Sequence, residues 1–157
     1  GAKDNDIYYA LGLAETALGN SDAACAYFER AAVGDEAPAS MMFYNDQPAD
    51  MILYQGLANR ALGREDAAKA RFHKLIDYGE KHLFDIVKID YFAVSLPELQ
   101  LFNEDLTRRN QAHCYYLIGL GYSGLGDKTR AAEYYAKTLA IDCAHLGTAI
   151  ESRNLKL

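Results

Sequence analysis

Residues 11–31 read LGLAETALGNSDAACAYFERA, residues 55–75 read QGLANRALGREDAAKARFHKL and residues 118–138 read IGLGYSGLGDKTRAAEYYAKT, and the three superimpose without a gap. With Gly19, Gly63 and Gly126 set in register, a glycine recurs seven residues earlier at Gly12, Gly56 and Gly119, and an alanine five residues later at Ala24, Ala68 and Ala131. An aromatic follows at Phe28, Phe72 and Tyr135, and a large residue precedes at Tyr8, Ile52 and Tyr115. An internal repeat decides the fold before any single element does.

Apolar residues ahead of each anchor recur at helical spacing, as in Tyr8, Leu11, Ala14 and Leu18, so a helix is expected to run into each anchor. The anchor glycine ends that helix by taking the left-handed conformation that other residues resist. A second helix is expected to start at once. Ser21 and Asp127 are the expected N-caps, and Glu65 and Asp66 place negative charge at the positive end of the second repeat's helix. The earlier glycine then falls inside a helix, where it costs about 1 kcal/mol relative to alanine. Repeated three times, that cost is appreciable against a total stability of about 5–15 kcal/mol. Close approach of the paired helix, with Gly12 opposite Ala24, Gly56 opposite Ala68 and Gly119 opposite Ala131, is the expected compensation.

This succession of an aromatic, leucine-glycine, a helix-ending glycine, a small alanine and a second aromatic resembles the tetratricopeptide repeat, a helix-turn-helix unit of about 34 residues. Tyr8 and Tyr115 stand where that family favours tryptophan, Gln55 interrupts a leucine position, and Pro38 is displaced from the place of the closing proline. The resemblance implies an all-α fold of antiparallel helix pairs stacked as a short solenoid. Its repeats fall at about residues 5–38, 49–82 and 112–145, with an irregular helical insertion at about 83–111 and a capping helix at about 146–156.

The segment from Ala39 to Pro48 reads as a loop, with Pro48 opening the next helix in its first turn. In the longer insertion, Ser95 and Glu98 form a capping box around Pro97, and Asn103 is the expected cap of a long helix running to about Leu125. The apolar residues Phe84, Ile86, Ile89, Tyr91 and Phe92 are expected to bury as a satellite core between the second and third repeats rather than to fill a groove. In the tail, Leu146 and Ile150 lie four apart and are expected to cover the open end of the third repeat. Residues Asp90–Asp127 also resemble part of the C-terminal repeat region of large bacterial proteins of uncharacterised function, whose N-terminal part is similar to a carbohydrate-enzyme β-sandwich. That second resemblance implies a bacterial source and an alternative role as an accessory or dimerisation domain of a carbohydrate-active enzyme.

Alanine and leucine far outnumber valine, isoleucine and threonine, which argues against an all-β domain. The net charge of −6 disfavours nucleic acid and anionic membranes as partners. Cys25, Cys114 and Cys143 are odd in number and form no CxxC pair, so they read as reduced, mostly buried thiols. No apolar run approaches the roughly 18 residues of a membrane span and no basic-then-apolar leader opens the chain, so a cytoplasmic location is expected. The first residue is Gly1 rather than methionine, which suggests a segment cut from a longer protein.

Gly119, Gly121 and Gly124 spell GxGxxG, but HCYYLI precedes them in helical register where a dinucleotide site needs a strand. These glycines therefore read as a helix thinned for packing, and no cofactor is expected. His73, His82, His113 and His145 are never paired at i, i+4, and no HExxH or GxSxG occurs, so no metal or nucleophile site is expected. Glu98, Glu104 and Asp105 read as helix-start carboxylates rather than an acid–base pair, and Cys114 and His113 point about 100° apart on a helix. The chain reads as noncatalytic.

In the tetratricopeptide family the first helices of the repeats line a concave binding surface. The resemblance places Tyr9 and Leu13, then Leu53, Leu57 and Arg60, then His113, Tyr116 and Leu120 on that surface. Tyrosine and arginine combine large contact area with a polar handle and dominate many interfaces. Family members that clamp a chaperone peptide's terminal carboxylate use lysine and asparagine where this chain has tyrosine, leucine and histidine, which argues against that ligand. The expected partner is a protein, a peptide or another domain of the same chain, and a homodimer is a further expectation.

Overall fold

The computed structural model describes residues 4–40, 47–87 and 105–155. Those residues form seven α-helices and no strand: α1 (Asn5–Ala17), α2 (Ser21–Ala31), α3 (Met51–Ala61), α4 (Glu65–His82), α5 (Leu106–Leu125), α6 (Lys128–Ile141) and α7 (Leu146–Asn154). The first six pack as the antiparallel pairs α1–α2, α3–α4 and α5–α6.

Each pair is joined at its anchor glycine. Gly19, Gly63 and Gly126 have φ of 81°, 77° and 84°, the left-handed region that glycine enters without penalty. Each donates its N–H to the carbonyl three residues back, at Thr16, Arg60 and Ser123. The following N–H reaches the carbonyl five residues back, at Glu15, Asn59 and Tyr122, so three Schellman turns repeat one geometry. Asp127 caps α6 as expected by accepting from the Arg130 N–H. Ser21 is instead the first residue of α2, with Asn20 at the cap position. Pro48 lies ahead of α3, its carbonyl accepting from Met51, rather than in the first turn. Asp105 caps α5, accepting from Arg108; the expected cap Asn103 and the Ser95–Glu98 box lie outside the described residues.

The interior glycines do face the paired helix, but the group they admit is an aromatic ring rather than the expected alanine. A Cβ added at Gly12 would fall on the Phe28 ring, one at Gly56 on Phe72 and one at Gly119 on Tyr135. The aromatic one helical turn beyond Ala24, Ala68 or Ala131 thus packs against bare backbone, and its burial offsets the helix-propensity cost. Between α4 and α5 the approach is closer still. A Cβ at Gly79 would stand 2.7 Å from the Cys114 carbonyl oxygen, and one at Gly121 would stand 2.6 Å from that of Phe72. Gly124 also meets the Phe72 ring. The GxGxxG glycines are therefore divided between two neighbours, Gly119 facing α6 and the other two facing α4.

Gln55 breaks the leucine pattern because it holds the first insertion. It is fully buried; its Nε2 donates to the Asp35 carbonyl at 3.1 Å and its Oε1 accepts from Arg71 Nε at 3.1 Å. Gln47 exchanges two further bonds with the Asp35 backbone at 2.8 and 2.7 Å. A buried amide with all these partners is tolerated where an unpaired one would cost about 1–3 kcal/mol. The second insertion shows a different device: Asn110 Nδ2 donates to the His82 carbonyl at 2.8 Å, tying the end of α4 to the start of α5. Phe84 and Ile86 are 78% and 76% exposed, which corrects the expectation that they bury in a satellite core; Ile89, Tyr91 and Phe92 lie outside the described residues.

The main core gathers Ile52, Phe72, Leu75, Leu117, Leu120 and Tyr135, and a smaller cluster joins Ala24, Phe28 and Ala31 to Ala58. A concavity of about 340 Å³ opens beside Phe28, Ala61 and Leu62, where α3 closes less tightly on α2 than α5 closes on α4. Ile7, Leu11 and Ala14 on α1, with the C-cap Leu18, form an exposed row. Their register equivalents Met51, Gln55 and Ala58, and likewise Cys114, Ile118 and Gly121, are buried by the preceding pair.

Only one of the three free thiols is buried: Cys25 and Cys143 are exposed, correcting the expectation of mostly buried cysteines. Burial pushes the Cys114 thiol up to about 12, with Asp85 adding to the shift. Two thiols are therefore expected to react with a disulfide reagent in the native protein at neutral pH, the third only in denaturant. Three fast equivalents would contradict the placement of Cys114.

Candidate functional site

Three tyrosines mark the face shared by the first helices of the pairs. The rings of Tyr9 on α1 and Tyr54 on α3 lie 6.2 Å apart. Tyr116 on α5 donates to Asp50 Oδ2, just ahead of α3, at 3.4 Å. Tyr54 donates to Glu151 Oε1 on α7, also at 3.4 Å. Helix α7 packs against α6, meets Tyr116 on α5 through Gly147 and His145, and reaches Tyr54 on α3 through Glu151, so it covers part of this face.

The residues expected on the face separate into three groups. Tyr9 and Leu57 are half-buried and Leu13 is 48% exposed, so these present side-chain surface. Leu53, Tyr116 and Leu120 are 3%, 7% and 0% exposed and belong to the main core; the expectation that they offer binding area is corrected, because α7 and the stacked helices cover them. Arg60 and His113 are engaged internally. Arg60 Nη1 donates to the Gly124 carbonyl at 2.7 Å, its Nε and Nη2 bond Glu65 at 3.1 Å, and its guanidinium lies over the Phe72 ring. It ties α3 to the ends of α4 and α5. His113 Nε2 donates to the Ala39 carbonyl at 3.3 Å and meets Tyr78 edge-on; burial lowers its pKa, so it is neutral at neutral pH.

Sequence reasoning missed Asp50, Tyr54 and Glu151. Tyr54 adjoins Leu53, and the register chose the leucine; the available signal was the run Met51, Ile52, Leu53, which leaves Tyr54 as the one side chain there with a polar tip. Also, Leu146 and Ile150 do not cover the third repeat: they are 72% and 48% exposed, and α7 turns Thr148 and Glu151 inward instead.

Buried charge gives this face its electrostatics. Desolvation raises the Asp50 pKa, opposed in part by the backbone and by the Tyr116 hydroxyl. Desolvation raises Glu151 too, and the Asp50 charge adds to it. The same burial raises Tyr54 and Tyr116, with nearby carboxylates contributing, and lowers His145. A carboxyl whose folded pKa is raised favours the fold in its protonated form. Its contribution is complete below the unfolded value, about pH 4, and is lost as pH rises through the folded value. Glu151→Gln keeps the acceptor for Tyr54 and removes the charge, so it is expected to raise Tm at pH 7 and flatten its decline as pH rises above about 4. A Tm at pH 7 below that of the unaltered protein would contradict this.

The chemistry of the face is adhesive: aromatic rings, aliphatic side chains and buried carboxylates. Asp105, weighed above as an acid–base residue, is the α5 cap, and the raised pKa of Cys114 makes it a poor nucleophile; Glu98 and Glu104 lie outside the described residues. Among the described residues no group of three His, Cys, Asp or Glu is placed to hold a metal ion, and no helix is long and apolar enough to cross a membrane.

Repeated helix pairs with a shared inner face define a helical repeat protein of the kind that holds other proteins. Models of the tetratricopeptide repeat match residues 6–32 and 112–142, and a second such model matches residues 50–78. The chain belongs to the tetratricopeptide repeat family. Repeats of this family serve in general as protein–protein interaction scaffolds and are typically noncatalytic. A comparison with solved structures returned no match.

Proposed function

We propose that this chain is a noncatalytic scaffold that docks a peptide segment of a partner protein, or of another domain of its own chain, on the inner face of α1 and α3. The carrying observation is that Tyr9, Leu13 and Leu57 keep exposed surface there, while their equivalents on α5 are buried. Aromatic and aliphatic side chains beside carboxylates suit an apolar segment flanked by basic residues. A photo-crosslinking amino acid at Leu13 or Leu57, in cells of the native host, is expected to give the same discrete adduct, lost on Tyr9→Ala. The same probe at Glu133 on α6 is the control. Adducts equal at all three positions, or absent at Leu13 and Leu57, would overturn the reading.

The exposed row Ile7, Leu11 and Leu18 supports a second contact, with a further helix of a neighbouring domain or of a second copy. Sedimentation velocity of the protein and of Leu11→Glu separates the two: a dimer in the first and a monomer in the second supports the second copy. Monomers in both leave the neighbouring domain.

A further inference from the structure

We propose that two copies of this chain associate through α1, which packs antiparallel on α1 of the second copy about a two-fold axis level with Gly12 and Leu13. This commits the second contact of α1 to one occupant and rests on the reading, given above, of its exposed row as a contact surface.

The row has the spacing of a helix–helix seam. Ile7, Leu11, Ala14 and the C-cap Leu18 are separated by four, three and four residues, the alternation that keeps one apolar stripe turned toward a partner helix. Ile7, Leu11 and Leu18 are 54%, 38% and 72% exposed, and Ala14 is exposed with them. Met51 on α3 and Cys114 and Ile118 on α5 hold the same register and are buried against the preceding pair. The stripe on α1 is thus a stacking surface of the kind used twice within the chain, with no covering helix among the described residues. Helix α1 is already folded against α2, so association costs no helix nucleation. At the opposite end of the stack α7 packs on α6 and covers that end, so copies meet head to head rather than head to tail.

The order of side chains along the row selects a second copy as occupant. Turned end for end, the row is complementary to itself: Leu11 meets Ala14 of the second copy near the axis, and Ile7 meets Leu18 of the second copy further out. A parallel arrangement would set Leu11 on Leu11 and Ala14 on Ala14, leaving a gap at the alanines. Ala10 and Ala17 border the row on one side and are exposed, so the two backbones can approach closely there. On the other side the Arg30 guanidinium lies over the Tyr8 ring at 3.9 Å, and the antiparallel register brings both beside Glu15 of the second copy. Three large side chains and an alanine bury less than the roughly 800 Å² per partner of a standard interface, so the dimer exchanges with monomer as concentration falls. Tyr9 and Leu13 lie roughly 130–170° round α1 from the row. The dimer therefore leaves both docking faces open and joins two of them in one particle, which favours a partner carrying its docking segment twice.

Disulfide trapping in the full chain tests the register, with Cys25→Ser and Cys143→Ser as background to remove the two exposed thiols. Ile7→Cys and Leu18→Cys proteins, mixed in equal amounts under mild oxidation, are expected to form a covalent dimer at least tenfold faster than either protein alone. In the antiparallel seam the two copies of position 7 stand about 16 Å apart along the helix axis, at about 1.5 Å per residue, as do those of position 18. A disulfide tolerates a Cα separation of roughly 7 Å, so neither protein can crosslink to itself. Sedimentation velocity of the background protein is expected to show monomer and dimer in an equilibrium that shifts with concentration. Ala14→Glu, at an exposed position that does not put folding at risk, is expected to weaken that dimer at least tenfold. Equal crosslinking rates for the mixture and the single proteins overturn the antiparallel seam, and so does a mixture that does not crosslink. Monomer alone at every concentration overturns it too, because the row then belongs to a different partner; a dimer unchanged by Ala14→Glu overturns it because the contact then lies elsewhere. These measurements use no docking partner, whereas crosslinking at Leu13 and Leu57 uses no property of the row, so either reading can fail alone.

Discussion

Replacing Phe72 by alanine is expected to remove about 3–5 kcal/mol of stability, the cost of an aromatic-sized void in a rigid core. Its ring is 0% exposed and meets two bare stretches of backbone, Gly56 on α3 and Gly124 on α5, with the Arg60 guanidinium 5.0 Å from its centroid. None of these surfaces can relax inward, because two are helix backbones and the third is held by Glu65 and the Gly124 carbonyl. Against a total of about 5–15 kcal/mol the loss corresponds to a Tm fall of about 6–20 °C. Phe28 makes the same contact with Gly12, but it also lines the neighbouring concavity, where the structure is less tightly filled. Phe28→Ala is therefore expected to cost clearly less. Thermal melts of the two variants decide the matter, and equal losses would refute the account of Phe72 as the joint of three helices.

Gly121→Leu is expected to cost about 3 kcal/mol or more, at the upper end for overpacked cores. Its Cβ alone would stand 2.6 Å from the Phe72 carbonyl oxygen and 2.5 Å from Ile76 Cγ1, and a carbonyl within a helix cannot step aside as a side chain can. Replacing a mid-helix glycine otherwise favours the helix by about 1 kcal/mol, so the sign of the measured change separates tertiary packing from local propensity. At Gly12 the nearest atoms to an added Cβ are all in the Phe28 side chain rather than in backbone, and that ring has the concavity beside it, so Gly12→Leu is expected to be the milder change. Denaturant unfolding of both variants measures the difference; a Gly121 variant as stable as the parent would show that α4 and α5 are not locked at this contact.

The repeat was legible because it rests on backbone geometry. A glycine that closes a helix in the left-handed region leaves the same mark in every copy, and Gly19, Gly63 and Gly126 show it with φ within a few degrees of one another. The interior glycines were equally visible as helix breakers that something must offset. What offsets them was not visible: one helical turn separates Ala24 from Phe28, and spacing alone cannot say which of two small or flat groups meets bare backbone.

The site was less legible. Register placed Leu53, Tyr116 and Leu120 on an open face, whereas stacking of the pairs and the return of α7 bury all three. Gln55 read as a flaw in a leucine position and proves to be the buried anchor of the first insertion, since its amide meets Asp35 and Arg71 only after the chain has folded. Arg60, read as an exposed contact residue, spends its donors on Glu65 and Gly124.

By itself the amino-acid sequence determined the helical class, the three paired units, their glycine turns and the acidic, aromatic character of the surface, because each follows from local conformation or composition. Only the tertiary structure decided which ring fills each glycine notch, which tyrosines stay in contact with solvent and that α7, packed on α6, also meets Tyr116 and Tyr54. Those outcomes depend on contacts between residues as far apart as Tyr54 and Glu151, whose proximity no periodicity encodes.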